Sequence, residues 1–211
     1  MTHIDKGKDE HGMKIIGLTG GIGSGKSFVA DAAQKNFPVL HISTDDIARR
    51  QMQKGGVSFK KVVKEFSKYT DALLLEDGEI NRPELSKIVM NDPERLKRLD
   101  EITHPAVIDE INSIIKEENE KGVYTAVLIE TALLYEAGID KMCDEVWYVY
   151  APVATRCKRL TETRGYTPEK TEMFLKNQQP EEEFLRRADR IVPNGEDVTE
   201  NDMIHIISAY L

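Results

Sequence analysis

GLTGGIGSGKS (residues 17–27) ends an apolar run, MKIIGLT (13–19), and opens a helix-like segment, SFVADAAQKN (27–36). From Gly20 to Ser27 the stretch matches the Walker A pattern, Gly-x-x-x-x-Gly-Lys-Ser/Thr. A strand, a glycine-rich loop and a helix in that order allow backbone N–H groups to surround phosphate oxygens, with the positive end of the helix directed at them. The stretch therefore predicts a nucleotide-binding core of the α/β class.

Each part of this phosphate loop has a predicted role. The glycines at 20, 21, 23 and 25 are expected to take left-handed backbone conformations, which lets several N–H groups point inward. Lys26 is expected to reach the β- and γ-phosphates of ATP, and the Ser27 hydroxyl to face Mg²⁺. Asn194 follows the last strand, where it either borders the adenine or belongs to a plain turn. The predicted ATP-binding residues are Gly21, Ile22, Gly23, Ser24, Gly25, Lys26, Ser27, Phe28 and Asn194.

Four further runs have the composition of buried strands, with helical segments between them. They are FPVLHIS (37–43), YTAVLIE (124–130), DEVWYVY (144–150) and RIVP (190–193). Together with the first strand they predict a five-stranded parallel sheet with flanking helices, the architecture of a P-loop kinase-like fold.

The segment between the second and third strands is too long for a single crossover connection. It contains four helix-like stretches and no convincing strand, so residues 44–121 are predicted to form an inserted helical domain. Residues 13–43 and 122–211 then form the nucleotide-binding core, and residues 155–180 are assigned to a lid. The polar residues 1–12 are predicted to be a disordered lead.

Composition narrows the class of protein. The 211 residues include 29 basic and 37 acidic side chains, a formal net charge of −8, which argues against a surface that coats nucleic acid. No apolar run approaches the roughly 20 residues needed to cross a bilayer, and residues 1–12 contain no hydrophobic stretch of the signal-peptide kind. These features predict a cytoplasmic protein without membrane or nucleic-acid partners, either a monomer or a weak homo-oligomer.

The loop alone does not separate a kinase from a switch or a motor. A guanine-reading NKxD element is absent from the sequence, and the chain is short for a motor ATPase. A small chain with a helical insertion favours a small-molecule kinase, in which a lid excludes water from the transferred phosphoryl group. A regulatory module that binds ATP without turning it over remains the alternative from another class.

Asp45 is the first candidate for the catalytic base. It follows the second strand, and in open α/β sheets ligands bind at the carboxyl ends of strands. A carboxylate there suits removal of the proton from an acceptor hydroxyl. Capping of the following helix explains the same residues equally well from the sequence.

Eight segments together resemble the dephospho-CoA kinase family, in order and at about the family's spacing, from Lys14 to the C-terminus. They are GLTGGIGSGKS, STDDIARR, DGEINRPEL, ITHP, ETALLYEAGID, RCKRLTETRG, NQQP and RADRIVPN. The resemblance implies transfer of the γ-phosphoryl group of ATP to the ribose 3′-hydroxyl of dephospho-CoA, the last step of CoA synthesis. It also implies a core like that of nucleoside monophosphate kinases. A kinase for another small acceptor, such as a nucleoside monophosphate, is the alternative.

Carried over by position, the resemblance assigns further roles. Asp45 stands where the family has its proposed base, and Arg49 follows one helical turn later. His104, in a corner expected between two helices, is assigned to the acceptor pocket together with Leu133. Arg159 and Arg164 of the lid are assigned to phosphate contacts, since guanidinium groups bind phosphate oxygens bidentately. The implied catalytic residues are Asp45, Lys26, Arg159 and Arg164.

The sequence also departs from the family pattern. Ser43 stands where many members have Asp, and Phe174 occupies a lid position that often holds Arg. Phe28 follows Ser27 where Thr is usual. Glu130 stands where Asp is frequent, so Mg²⁺ is expected to be held by Ser27, with water-mediated contacts to Asp45 and Glu130.

Overall fold

The computed structural model describes residues 12–90, 92–176 and 178–211. The disordered lead predicted at the N-terminus falls almost wholly outside these residues. The described chain contains five strands and nine α-helices. In chain order they are β1 Lys14–Thr19, α1 Lys26–Asn36, β2 Val39–Ser43, α2 Thr44–Gln51, α3 Phe59–Phe66, α4 Arg82–Met90, α5 Pro93–Lys121, β3 Ala126–Glu130, β4 Glu145–Tyr150, α6 Val153–Arg164, α7 Pro168–Lys176, α8 Glu181–Arg187, β5 Arg190–Pro193 and α9 Glu200–Tyr210. A short 3₁₀ helix, Ile139–Met142, precedes β4.

The strands form one five-stranded sheet in the order β2-β3-β1-β4-β5. β1 pairs in parallel with β3 and with β4, and β4 pairs in parallel with β5. The prediction of a parallel α/β sheet is confirmed. The register places Leu18 beside Glu130, so the end of β3 lies next to the point where β1 enters the phosphate loop.

The described residues divide into two compact units. The first contains the chain up to Ile42 together with Lys116–Leu211, and the second is Ser43–Ile115. In the first unit β1 is buried from Ile15 onward, because helices cover both faces of a central parallel strand. Side chains of α1 and α9 join the strands in one core, with Trp147 among its fully buried residues.

The second unit is helical and has a core of its own. Phe66 and Leu73 are almost completely buried there, packed with apolar side chains of α3, α4 and α5. Its only strand-like feature in the described chain is an isolated antiparallel bridge between Leu74 and Ile80. A separate core is what allows an insertion of this length to fold as a unit.

α5 differs from the sequence-based expectation. Pro105 was predicted to lie in a corner between two helices, but α5 runs through it without interruption. Proline lacks the N–H that would bond to the carbonyl four residues earlier, which normally breaks a helix. Buried residues on both sides of Pro105, including Ile102 and Ile111, keep one face of the helix packed and outweigh that loss.

No helix within residues 12–90, 92–176 and 178–211 has the length and apolar character needed to cross a membrane.

Candidate active site

The phosphate loop connects β1 to α1, and within the described residues no side chain caps the first amides of α1. Gly25, the N-cap, has a φ of 90°, and Gly23 has a φ of 77°, both in the left-handed region that favours glycine. Lys26 Nζ donates a hydrogen bond to the Gly20 carbonyl at 3.0 Å, so the lysine folds back over the loop. Open helix N-terminal amides and a nearby ammonium group form a site for an anion.

One of the four glycines does not take the positive φ expected from the sequence. Gly20 has a φ of 159°, whereas Gly21 has no positive φ. Gly21 is required for space instead, because a Cβ there would overlap Nη2 of Arg156. The side chain of Arg156 is therefore part of the loop's structure.

Besides Lys26, three side chains of the described residues donate hydrogen bonds to loop carbonyls, and we call Arg156, Arg159 and Asn194 the loop brace. Arg156 Nε donates to the Ile22 carbonyl at 2.9 Å. The Ser24 carbonyl accepts from Asn194 Nδ2 at 2.7 Å and from Arg159 Nη1 at 3.2 Å. In a trans peptide the next N–H points away from the carbonyl. The brace thus turns the amides that follow Ile22 and Ser24 toward the opposite side of the loop.

The brace changes how its members are interpreted. Arg156 is 6% exposed and also donates to Gln178 Oε1, which makes it a buried structural cation and not a mobile one. Asn194 is 2% exposed. The second Nη of Arg159 donates to the Gly195 carbonyl at 3.1 Å. A phosphate contact by Arg159 would compete with these bonds.

We expect Gly21→Ala to weaken ATP binding at least about tenfold, which corresponds to roughly 1.4 kcal/mol. The added methyl group displaces the Arg156 guanidinium and breaks its bond to Ile22, and a hydrogen bond to a charged group contributes about that much. Isothermal titration calorimetry with ATP measures the change. The control is Gly12→Ala, whose Cβ would approach Asn119 Oδ1, at 3.4 Å, and no other atom of the described residues within 4 Å. Equal ATP affinity in both variants would show that the position of Arg156 is irrelevant to the loop.

At Ser27 the start of α1 meets the end of β3. Ser27 Oγ donates to Glu130 Oε1 at 2.7 Å, and His41 Nε2 lies 2.9 Å from Glu130 Oε2. Burial acts to raise the pKa of Glu130, but the hydrogen bonds with His41 and Ser27, assisted by the charge of Lys26, outweigh it and leave the pKa below its ordinary value. Glu130 is therefore an ionised carboxylate beside the loop.

These oxygens suit Mg²⁺. The ion prefers hard oxygen ligands and commonly takes only one or two from the protein, with waters and substrate phosphates supplying the others. A hydroxyl and an ionised carboxylate, hydrogen-bonded to each other at the start of α1, fit that donor set.

Asp45 and Arg49 belong to α2 in the helical unit. Ser43 Oγ accepts from the Asp46 N–H at 3.2 Å and is thus the N-cap of α2. Asp46 pairs with Arg49 at 3.6 Å. Across the described residues the Asp45 side chain takes part in neither a hydrogen bond nor an ion pair, and it is exposed in the first turn. The sequence allowed helix capping as the alternative role of this segment, and in the structure Ser43 performs it.

His104 lies within α5, one turn after Asp100, and its Nε2 is 3.5 Å from Asp100 Oδ1. Burial raises the pKa of Asp100, and the neighbouring His104 opposes that shift. Leu133 follows β3 in a turn where its N–H donates to Thr131 Oγ1, and it is 45% exposed. Arg164 is the exposed last residue of α6, before the left-handed Gly165.

Comparison with known proteins identifies the relatives of this fold. A family model described as CoaE, dephospho-CoA kinase, matches residues 14–200. A dephospho-CoA kinase of Carboxydothermus hydrogenoformans is 39% identical over 184 residues, which cover 87% of this chain and 86% of that protein. The chain belongs to the dephospho-CoA kinase family.

Solved structures agree with this family membership. A crystal structure of the Thermus thermophilus protein TT1252 has a TM-score of 0.74 and 30% identity, covering 94% of this chain and 96% of its own. The dephospho-CoA kinase from Campylobacter jejuni has a TM-score of 0.66 and 25% identity, covering 93% of this chain and 96% of its own. The resemblance drawn from the sequence motifs is confirmed.

Two residues at the dephospho-CoA kinase phosphate loop were missed by the sequence reasoning. His41 belongs to no motif, although the two-residue alternation of a strand would have placed it on the same side as Ser43. Arg156 opens the segment RCKRLTETRG, in which only Arg159 and Arg164 are assigned roles from the sequence. Its position three residues before Arg159 was the available signal.

Two departures from the dephospho-CoA kinase pattern have a structural outcome. Phe28, in the first turn of α1, packs against the core of the first unit. Its side chain therefore contributes to packing, and only its backbone N–H faces the loop. Phe174 stacks on Tyr166 with ring centroids 5.5 Å apart. An aromatic contact thus occupies the place of a lid cation.

Proposed function

We propose that this chain transfers the γ-phosphoryl group of ATP to the ribose 3′-hydroxyl of dephospho-CoA, giving CoA and ADP. The observation that carries the proposal is the family match over residues 14–200, which extends through both units of the chain. The phosphate loop, with its uncapped amides and its folded-back lysine, supports ATP as the donor.

On the donor side, the loop amides from Gly21 to Phe28 and the Lys26 ammonium bind the phosphates of ATP. The brace supports this role because it binds the Ile22 and Ser24 carbonyls and so turns the amides that follow them to the other side of the loop. Asn194 and Arg159 lie next to Gly195, where the adenine is received. Ser27, with Glu130 and a water-mediated contact from Asp45, would hold Mg²⁺, which would neutralise charge developing on the phosphates.

On the acceptor side, Asp45 takes the proton of the 3′-hydroxyl as the oxygen attacks the γ-phosphorus and the bond to ADP breaks. Its unengaged, exposed carboxylate supports this role. Arg49, His104 and Leu133 bind the acceptor, and residues 44–121 form the acceptor-binding insertion. Residues 155–180 form the lid, in which Arg164 contacts the migrating phosphoryl group.

A coupled ADP-release assay tests the proposal. Dephospho-CoA is expected to stimulate ADP release well above the rate with ATP alone, and nucleoside monophosphates are expected not to do so. Stimulation by a nucleoside monophosphate alone would identify the chain as a kinase for that acceptor. ATP binding without turnover on any acceptor would identify a regulatory module.

A further inference from the structure

His41 contacts the Glu130 carboxylate, and the proposed function gives it no role. β2 and β3 are neighbours in the sheet, which brings the two side chains together over 89 residues of sequence. His41 Nε2 lies 2.9 Å from Oε2, while Oε1 accepts from Ser27 Oγ at 2.7 Å. The side chains of His41 and Glu130 are only 15% and 12% exposed. Both carboxylate oxygens are therefore held, one from the sheet and one from α1.

This arrangement orients the Ser27 hydroxyl. A serine hydroxyl has one proton to donate and lone pairs to offer as ligands. When the proton points at Glu130, the lone pairs point elsewhere and are available to a cation. That orientation depends on the carboxylate staying in place. A glutamate side chain has several rotatable bonds, and fixing them costs conformational entropy. The imidazole of His41, fixed on a strand, supplies the second contact that restricts them.

We propose that His41 is a positioning residue for the Mg²⁺-facing side of the nucleotide site. It holds Glu130 so that the carboxylate accepts the Ser27 proton and leaves the Ser27 lone pairs directed at a cation. The inference rests on the ATP site of the proposed function and does not depend on the identity of the acceptor. Residues of this kind, which orient metal ligands through hydrogen bonds, commonly change metal affinity about 10- to 100-fold when they are replaced.

The test measures binding of ATP to the full chain without any acceptor. Calorimetric titrations with ATP are run in EDTA and over a series of Mg²⁺ concentrations, and Mn²⁺ binding to the ATP complex is followed by electron paramagnetic resonance. His41→Val removes both ring nitrogens and keeps a strand-forming side chain. His41→Gln retains an N–H donor of similar reach. His205→Val is the control, because His205 lies exposed on α9, away from the loop, and its Nδ1 contacts the Asn201 carbonyl of the same helix.

For His41→Val we expect two quantities to rise about 10- to 100-fold. One is the Mg²⁺ concentration at which the increase in ATP affinity is half complete, and the other is the dissociation constant of Mn²⁺ from the ATP complex. ATP affinity in EDTA is expected to change by less than about threefold, since the loop amides are untouched. His41→Gln is expected to restore most of the metal dependence, and His205→Val to match the wild type. If His41→Val does not fold, His41→Asn, whose amide is too short to reach Glu130, is read in the same way.

Three results would overturn the inference: an unchanged metal requirement in His41→Val, an equal loss with and without metal, or a His41→Gln variant as impaired as His41→Val. The last two would assign His41 to strand packing. A wild-type chain that binds no ATP in any condition would contradict the proposed function instead, so the two failures are distinguishable.

Discussion

Asp45→Asn is expected to lower kcat with dephospho-CoA at least about 100-fold, the lower end of what a positioned general base contributes. Asparagine has nearly the same shape but cannot take the proton of the acceptor hydroxyl. The carboxylate is exposed in the first turn of α2 and helix capping is performed by Ser43, so the substitution removes no structural contact of the described chain. Steady-state kinetics give kcat, and calorimetry is expected to show unchanged ATP affinity.

The matched control for this variant is Asp46→Asn. Asp46 is the next residue, also an aspartate in the first turn of α2. Within the described residues its side chain pairs with Arg49 alone, at 3.6 Å on the surface. Exposed ion pairs contribute little, so kcat is expected to stay within about twofold of the wild type. If Asp45→Asn and Asp46→Asn had the same kcat, Asp45 would be removed from the role of base.

Lys26→Met is expected to lower kcat/KM at least about 1,000-fold, comparable with the loss of other charged groups that stabilise the transferred phosphoryl group. Methionine keeps the length and apolar stem of the side chain and removes the ammonium group. The bond to the Gly20 carbonyl at 3.0 Å is lost with it, so the variant also has a less ordered loop. Initial rates at several ATP concentrations separate the effect on kcat from that on KM.

Lys35→Met provides the comparison for Lys26→Met. It makes the same substitution in the same helix, at an exposed lysine paired with Glu200 at 2.9 Å. Its activity is expected to equal that of the wild type, since α1 keeps its core-facing residues. A Lys26→Met enzyme within tenfold of the wild type would contradict the assignment of phosphate binding to this loop.

Strand positions could be predicted well, and their starting points less well. FPVLHIS was predicted as a strand from residue 37, but β2 begins at Val39. Phe37 ends α1, where its N–H donates to the Ala33 carbonyl, and Pro38 has no N–H to give to a sheet. Composition identifies which run is buried, whereas the first sheet hydrogen bond depends on where the preceding helix ends.

The loop in isolation could be recognised because its chemistry is contained in eight consecutive residues. A glycine-rich turn, a lysine and a hydroxyl at fixed spacing perform the same task wherever they follow a strand. The order of apolar runs determined the α/β class for a similar reason, since burial on both faces of a strand and one face of a helix leaves a periodic pattern in the sequence. Family membership followed from eight such local segments in one order.

What surrounds the loop could not be obtained in that way. The bonds from Glu130 to Ser27, from Arg156 to Ile22 and from Asn194 to Ser24 join residues 103, 134 and 170 positions apart. Local rules of backbone conformation reach a few residues only, so nothing near Gly21 shows that an arginine will occupy the space of its missing Cβ. The continuous helix through Pro105 could not be predicted for the same reason: packing of buried residues on both sides of Pro105 outweighs the local tendency of proline to break a helix. Sequence determined that phosphate is bound; the packing of distant strands and helices decided which side chains hold the loop and its carboxylate in place.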